Sequence, residues 1–180
     1  NNTNLIQISA YQNQISSIDV SSNTNLQYLW LGGNPSDLSG STETNTISSL
    51  DVATNVALRQ LILAGLNIST LNLSNTTALS LLNVNSNNLP SLDISNNNGL
   101  SVLAIGVNPI TAIDVTDKPE LTEMYAYSTN LTELDLSSNS KLTTVDVSDN
   151  ANLTSLHLKN GNNTNFTTVR IVNNPNLGCV

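Results

Sequence analysis

Positive charge is what this 180-residue chain has least of: five Lys and Arg stand against thirteen Asp and Glu, a net charge of −8. No phosphate-tracking surface can be built from so few cations, so neither nucleic acid nor an anionic membrane is an expected partner. Cysteine is almost missing. Cys179 alone excludes an internal disulfide framework and a cysteine-rich metal knot, and fits either a reducing compartment or an exported bacterial protein held by its fold. The only histidine, His157, excludes a multi-histidine metal site. With one Phe, one Trp and four Tyr, aliphatic residues must fill the core. No apolar run reaches membrane-spanning length and no basic-then-apolar leader opens the chain. Phosphate-binding glycine loops, nucleophile elbows and metalloprotease helix motifs are lacking too, so no cofactor is expected.

What is present is repetition. The length suits one domain with a real core. Aliphatic residues recur in coils of 21 residues at 5–25, 58–78, 79–99, 100–120 and 121–141, and 26–57 is the same coil with an insertion at 36–46. Each coil has two similar halves. The first reads as in "LSLLNVNSN" or "LQYLWLGGN", the second as in "LPSLDISNN" or "LTELDLSSN". The last two aliphatics of a half are two apart, the period of a strand. A half of about ten residues cannot enclose a core alone, whereas two halves make one turn of a solenoid. The expected fold is therefore all-β, with seven to eight coils, two short parallel strands per coil in two parallel sheets, and little or no helix. Stacked coils would lie about 4.8 Å apart. Asn13, Asn23, Asn34, Asn55, Asn87, Asn97, Asn108 and Asn139 close the halves, where an amide can satisfy backbone groups at the bend. Leu66, Thr76, Lys118 and Thr129 take that position elsewhere and predict locally different turns.

With motifs such as "MYAYSTNLTELDLSSN", the chain resembles bacterial leucine-rich repeat arrays of the 21-residue type called IRREKO, over nearly its whole length. The resemblance implies a binding or display role on a surface or secreted protein and supplies no catalytic residues. Departures are the insertion at 36–46, Asn72 in an Asp position, and an irregular region, 142–180. There "LTTVDVSDNAN" repeats an Asp-type half directly after another. "NTNL" at 2–5 repeats "NTNL" at 23–26, and neither end offers a polar cap. Together they predict a segment of a longer, multidomain polypeptide.

Two outward surfaces follow. In the second halves the outward position is Asp19, Asp51, Asn72, Asp93, Asp114 and Asp135. Strict alternation puts His157 at the end of this column and Asp146 on the opposite sheet. Three uses compete for the column: catalytic acids, a divalent cation site, or a solvated polar ladder that is mainly architectural. Catalysis needs two carboxylates in a cleft with different pKa values, and calcium-binding solenoids need a glycine-rich turn that is missing here. The architectural use is the expected one. Repulsion between neighbouring carboxylates would raise their folded pKa values, so that stability declines as pH rises, unless hydroxyl donors or a cation offset it.

The first halves place Tyr11, Tyr28, Trp30, Ile62, Leu81, Val102, Tyr125 and Tyr127 outward, including every Tyr and the Trp. Their central position varies through Ser9, Trp30, Ile62, Asn83, Ala104 and Tyr125, whereas the Asp face hardly changes. Rings kept off the core on one varied face suit recognition, and rings stacked along a ladder can also simply shield a sheet. The expected ligand-binding residues are Tyr11, Tyr28, Trp30, Tyr125 and Tyr127, with no catalytic or metal residues. The leading function is a non-enzymatic, monomeric recognition module on the bacterial surface or outside the cell, for a protein or glycan ligand. A stalk or spacer is the alternative; a polysaccharide hydrolase or a cation-binding solenoid comes behind both.

Overall fold

A computed structural model describes residues 2–33 and 44–180. Most of the 36–46 insertion and Asn34 lie outside the described residues. The chain winds as a parallel solenoid, and among the described residues it is all-β but for a single 3-10 turn at Asn163–Asn165. The strands are β1 (Gln7–Ser9), β2 (Tyr28–Gly32), β3 (Gln60–Leu63), β4 (Leu81–Asn83) and β5 (Val102–Ala104). They continue as β6 (Glu123–Tyr125), β7 (Glu133–Asp135), β8 (Thr144–Asp146), β9 (Ser155–His157) and β10 (Thr168–Arg170).

Eight of them form one wall in the order β1-β2-β3-β4-β5-β6-β8-β10, and β7 pairs with β9 on the other. All pairings are parallel and in the repeat register: Ile8, Leu29, Leu61, Leu82, Leu103, Met124 and Val145 succeed one another across the first wall. From Leu29 onward this inward row is fully buried. The core is a stack of aliphatic rungs from both walls, including Leu26, Leu58, Leu79, Leu100 and Leu121 at the start of successive coils. Each rung is covered by the coils on either side, so burial comes from stacking rather than from any coil alone.

The second wall is looser than a sheet over most of its length. Before β7, single backbone hydrogen bonds join successive coils: Thr46 N–H to Ile15 C=O, Asn67 to Ile47, Asn88 to Ile68, and Asn130 to Ile110, at 2.8–3.2 Å. The junction between 79–99 and 100–120 lacks one because Pro109 has no N–H to donate. A full ladder closes at β7 and β9, where Asp135 lies in register with His157.

The bends depart from expectation in one respect. The αL residue before the bend Asn is present in every coil, including Gly65 before Leu66 and Ser128 before Thr129, with φ of 74° and 53°. Thr76 and Lys118 keep the backbone bond that Asn55 makes, N–H to the carbonyl three residues back. The predicted locally different turns do not occur, since the backbone supplies the turn. The Asn amide secures it: Asn87 Nδ2 donates to the carbonyls of Leu63, Val84 and Asn85, and its Oδ1 accepts from Ile68 N–H.

Candidate functional site

Alternation in the short strands decides which side chains reach the first wall's outer surface. With Leu29, Leu61, Leu82, Leu103 and Met124 inward, the outward central row runs Ser9, Trp30, Ile62, Asn83, Ala104, Tyr125, Asp146. A flanking row runs Gln7, Tyr28, Gln60, Leu81, Val102, Glu123, Thr144. These are the rows expected from the sequence, and Asp146 is on this wall as alternation required.

The rings do not form one cluster. Tyr28 and Trp30 meet edge to face, with centroids 6.3 Å apart and planes at 68°. Tyr125 and Tyr127 lie at the other end. Trp30 and Tyr125 are four ladder steps apart, about 19 Å at the usual strand spacing. Between them Ile62, Asn83 and Ala104 are fully buried, and Leu81 and Val102 are half-buried. The outcome is a ring pair at each end, with Leu81 and Val102 giving the apolar surface between them. Tyr11 is half-buried in the first coil.

Several rings also pack on the wall that carries them. A Cβ added at Gly106 would come within 2.7–2.9 Å of three Tyr127 ring atoms, so that ring rests against the glycine. Gly32 is held equally tightly, since a Cβ there would meet Ala64 O at 2.1 Å. Tyr125 Oη donates to Glu123 Oε2 at 2.7 Å. Burial first, then the Glu123 bond and the charges of Glu123 and Asp146, push the Tyr125 hydroxyl pKa upward, which keeps it a donor.

Glu123 and Asp146 thus join the candidate site: alternation had placed Asp146 on this wall, but neither was among the expected ligand-binding residues. Glu123 is two residues before Tyr125 on the same face, and that spacing was the available signal. Asp146 accepts from Ser148 N–H at 3.0 Å and Ser148 Oγ at 2.6 Å, and its Oδ2 lies 3.2 Å from Arg170 Nε.

On the second wall each acid is employed in the turn that follows it. The Oδ1 atoms of Asp19, Asp51, Asn72, Asp93, Asp114 and Asp135 accept from the N–H two residues on, at 2.8–3.0 Å. The Ser21 hydroxyl, then its amide, hold Asp19 below the ordinary aspartate value; Ser137 does the same for Asp135. At Asp93 and Asp114 the amides of Ser95 and Thr116 act most strongly and their hydroxyls second, again downward. The rise expected from carboxylate repulsion is therefore reversed, because donors outweigh neighbours.

His157 lies beside Asp135, and its Nε2 is 3.1 Å from Ser155 Oγ. With Ser137, Lys159, exposed Cys179 and Val180 they edge a notch of about 180 Å³. Among the described residues no group of three or more His, Cys, Asp or Glu is arranged to hold a metal ion. No helix among them is long and apolar enough to cross a membrane.

No family model and no curated protein matches the chain. Solved structures do. The functional domain of InlJ from Listeria monocytogenes, described as including a cysteine ladder, is 25% identical, with a TM-score of 0.75 over 93% of this chain and 44% of that one. A leucine-rich repeat protein of Leptospira interrogans is 20% identical, with a TM-score of 0.81 over 96% of this chain and 44% of that one. Internalin C2 of L. monocytogenes is 19% identical, with a TM-score of 0.70 over 93% of this chain and 72% of that one. The chain thus has the fold of bacterial leucine-rich repeat proteins and spans less than half the length of the first and second of these. The cysteine ladder is not shared, since Cys179 stands alone.

Proposed function

We propose that the chain is a non-enzymatic recognition module of an exported or cell-surface bacterial protein, holding a protein or glycan ligand on its first wall. One observation carries this. The first wall carries a varied row with ring pairs about 19 Å apart and half-buried Leu81 and Val102 between them, while the second repeats one capping acid. Rings of this kind offer large contact area for little lost conformational freedom. The fold shared with internalins supports a protein-interaction role.

Changing Tyr28, Trp30, Tyr125 and Tyr127 together to Ser should abolish ligand capture, with the far-UV circular dichroism spectrum retained. A lowered melting temperature is expected as well, because Tyr127 packs on Gly106 and Tyr28 on Trp30. Undiminished capture by this variant refutes the reading.

That same packing favours the second reading, a stalk or spacer whose rings only shield the wall. Reproducible retention of the chain on a glycan array or by a purified partner counts against it. Hydrolysis by the Asp column has less support, since each described Asp of the column spends Oδ1 on the next turn.

A further inference from the structure

The geometry points to a protein ligand that brings a lysine or arginine side chain to the Glu123–Tyr125–Tyr127–Asp146 end of the first wall. This rests on the proposed function and narrows its ligand from protein or glycan to one class. Charge complementarity is the argument. Among the outward residues of the first-wall strands, the charged ones are Glu123, Asp146 and Arg170, all at one end; from Gln7 to Ala104 the rows are neutral.

Tyr125 lies between the two acids. It is in register with Asp146 across the ladder, and its hydroxyl is committed to Glu123 at 2.7 Å. An ammonium or guanidinium placed over this ring gains from the ring's face, from Glu123 and, shared with Arg170, from Asp146. The three residues are half-buried, so the attraction is screened less than on an open surface.

Arg170 displays this chemistry within the chain. Its Nε sits 3.2 Å from Asp146 Oδ2 while 61% of its side chain remains exposed at the edge strand. A neutral sugar on the same spot would strip water from Glu123, which has no cation beside it as Asp146 has in Arg170, and return no counter-charge. A basic side chain flanked by aliphatic ones fits better, because half-buried Leu81 and Val102 continue the apolar surface toward Trp30.

Random linear peptides displayed on phage and panned on the chain at physiological salt test this. Wild type should select peptides enriched in Lys and Arg, and Glu123→Gln with Asp146→Asn should lose that enrichment. Both substitutions keep an acceptor for Tyr125 and Ser148, and circular dichroism verifies their fold. Asp93→Asn with Asp114→Asn makes the same change in net charge on the other wall and should leave the enrichment intact. Enrichment that survives the first pair, or disappears equally with the second, overturns the inference. Peptides without bases that depend on the four rings, or retention by glycans alone, also overturn it while leaving the recognition reading in place. Selection indifferent to the rings, or no binding to either probe, removes both.

Discussion

At the residue scale, the bends show how little side-chain chemistry the winding demands. The chain leaves the first wall through a left-handed residue in each coil: Gln12, Gly33, Gly65, Ser86, Val107, Ser128, Asp149 and Asn173. Val107 is the anomaly, a β-branched residue at φ 54° with 42% of its surface exposed. Left-handed geometry costs a non-glycine residue about 1–2 kcal/mol, and glycine's extra freedom when unfolded returns about 0.5–1 kcal/mol of that. Val107→Gly should therefore stabilise the chain by up to about 1 kcal/mol, read as a higher urea midpoint at constant m-value. Lys118 makes the complementary point. It occupies an Asn position, is 2% exposed, and reaches Asn98 Oδ1 and the Asp117 carbonyl at 3.4 Å. Its turn is nonetheless ordinary, so a prediction based on the bend residue's identity misjudged what fixes the bend.

At the scale of the element, the two halves of a coil look alike in sequence and behave differently. The aliphatic period of two placed the rows of the first wall correctly, from Ser9 through Tyr125. Strand pairing on the second wall was less legible, because the same alternation of residues occurs where a ladder closes, at β7 and β9, and where coils share a single backbone bond. The sign of the aspartate shifts was half legible: the Ser and Thr hydroxyls two residues on are visible in the sequence, whereas the backbone N–H donors that lead at Asp93 and Asp114 are not. Those shifts set the pH dependence. Asp19, Asp93, Asp114 and Asp135 have folded pKa values below 3.8, so the stability they contribute is fully present above that value. It is lost as pH falls through the folded values. The melting temperature should be flat near neutrality and drop at acid pH. Asp93→Asn with Asp114→Asn should make that drop shallower.

At the scale of the whole molecule, the coil is the unit of stability and of length. Removing residues 79–99 joins Ala78 to Leu100 in register, and lets Asn108 serve Ile68 as Asn87 does now. The shortened chain should keep the same circular dichroism signature per residue and a single cooperative melt at lower temperature. Loss of cooperativity would show that some coils are not interchangeable. The fold was legible because every coil states it again. The candidate site was only partly so: the outward rows that carry the rings were legible, yet the distance between Tyr28 with Trp30 and Tyr125 with Tyr127 depends on counting coils, and Glu123 and Asp146 gain meaning only beside Tyr125.

Residues 142–152 carry an Asp-type half and still serve the first wall, as β8. Position in the count, then, decides front or back, and the letters within a half do not. A gene that gained or lost one whole winding would only stretch or shorten the gap between the Trp30 and Tyr125 anchors, in fixed quanta. A gene that gained or lost a single half between them would send the later tyrosines to the reverse side, dismantling the site without disturbing one leucine.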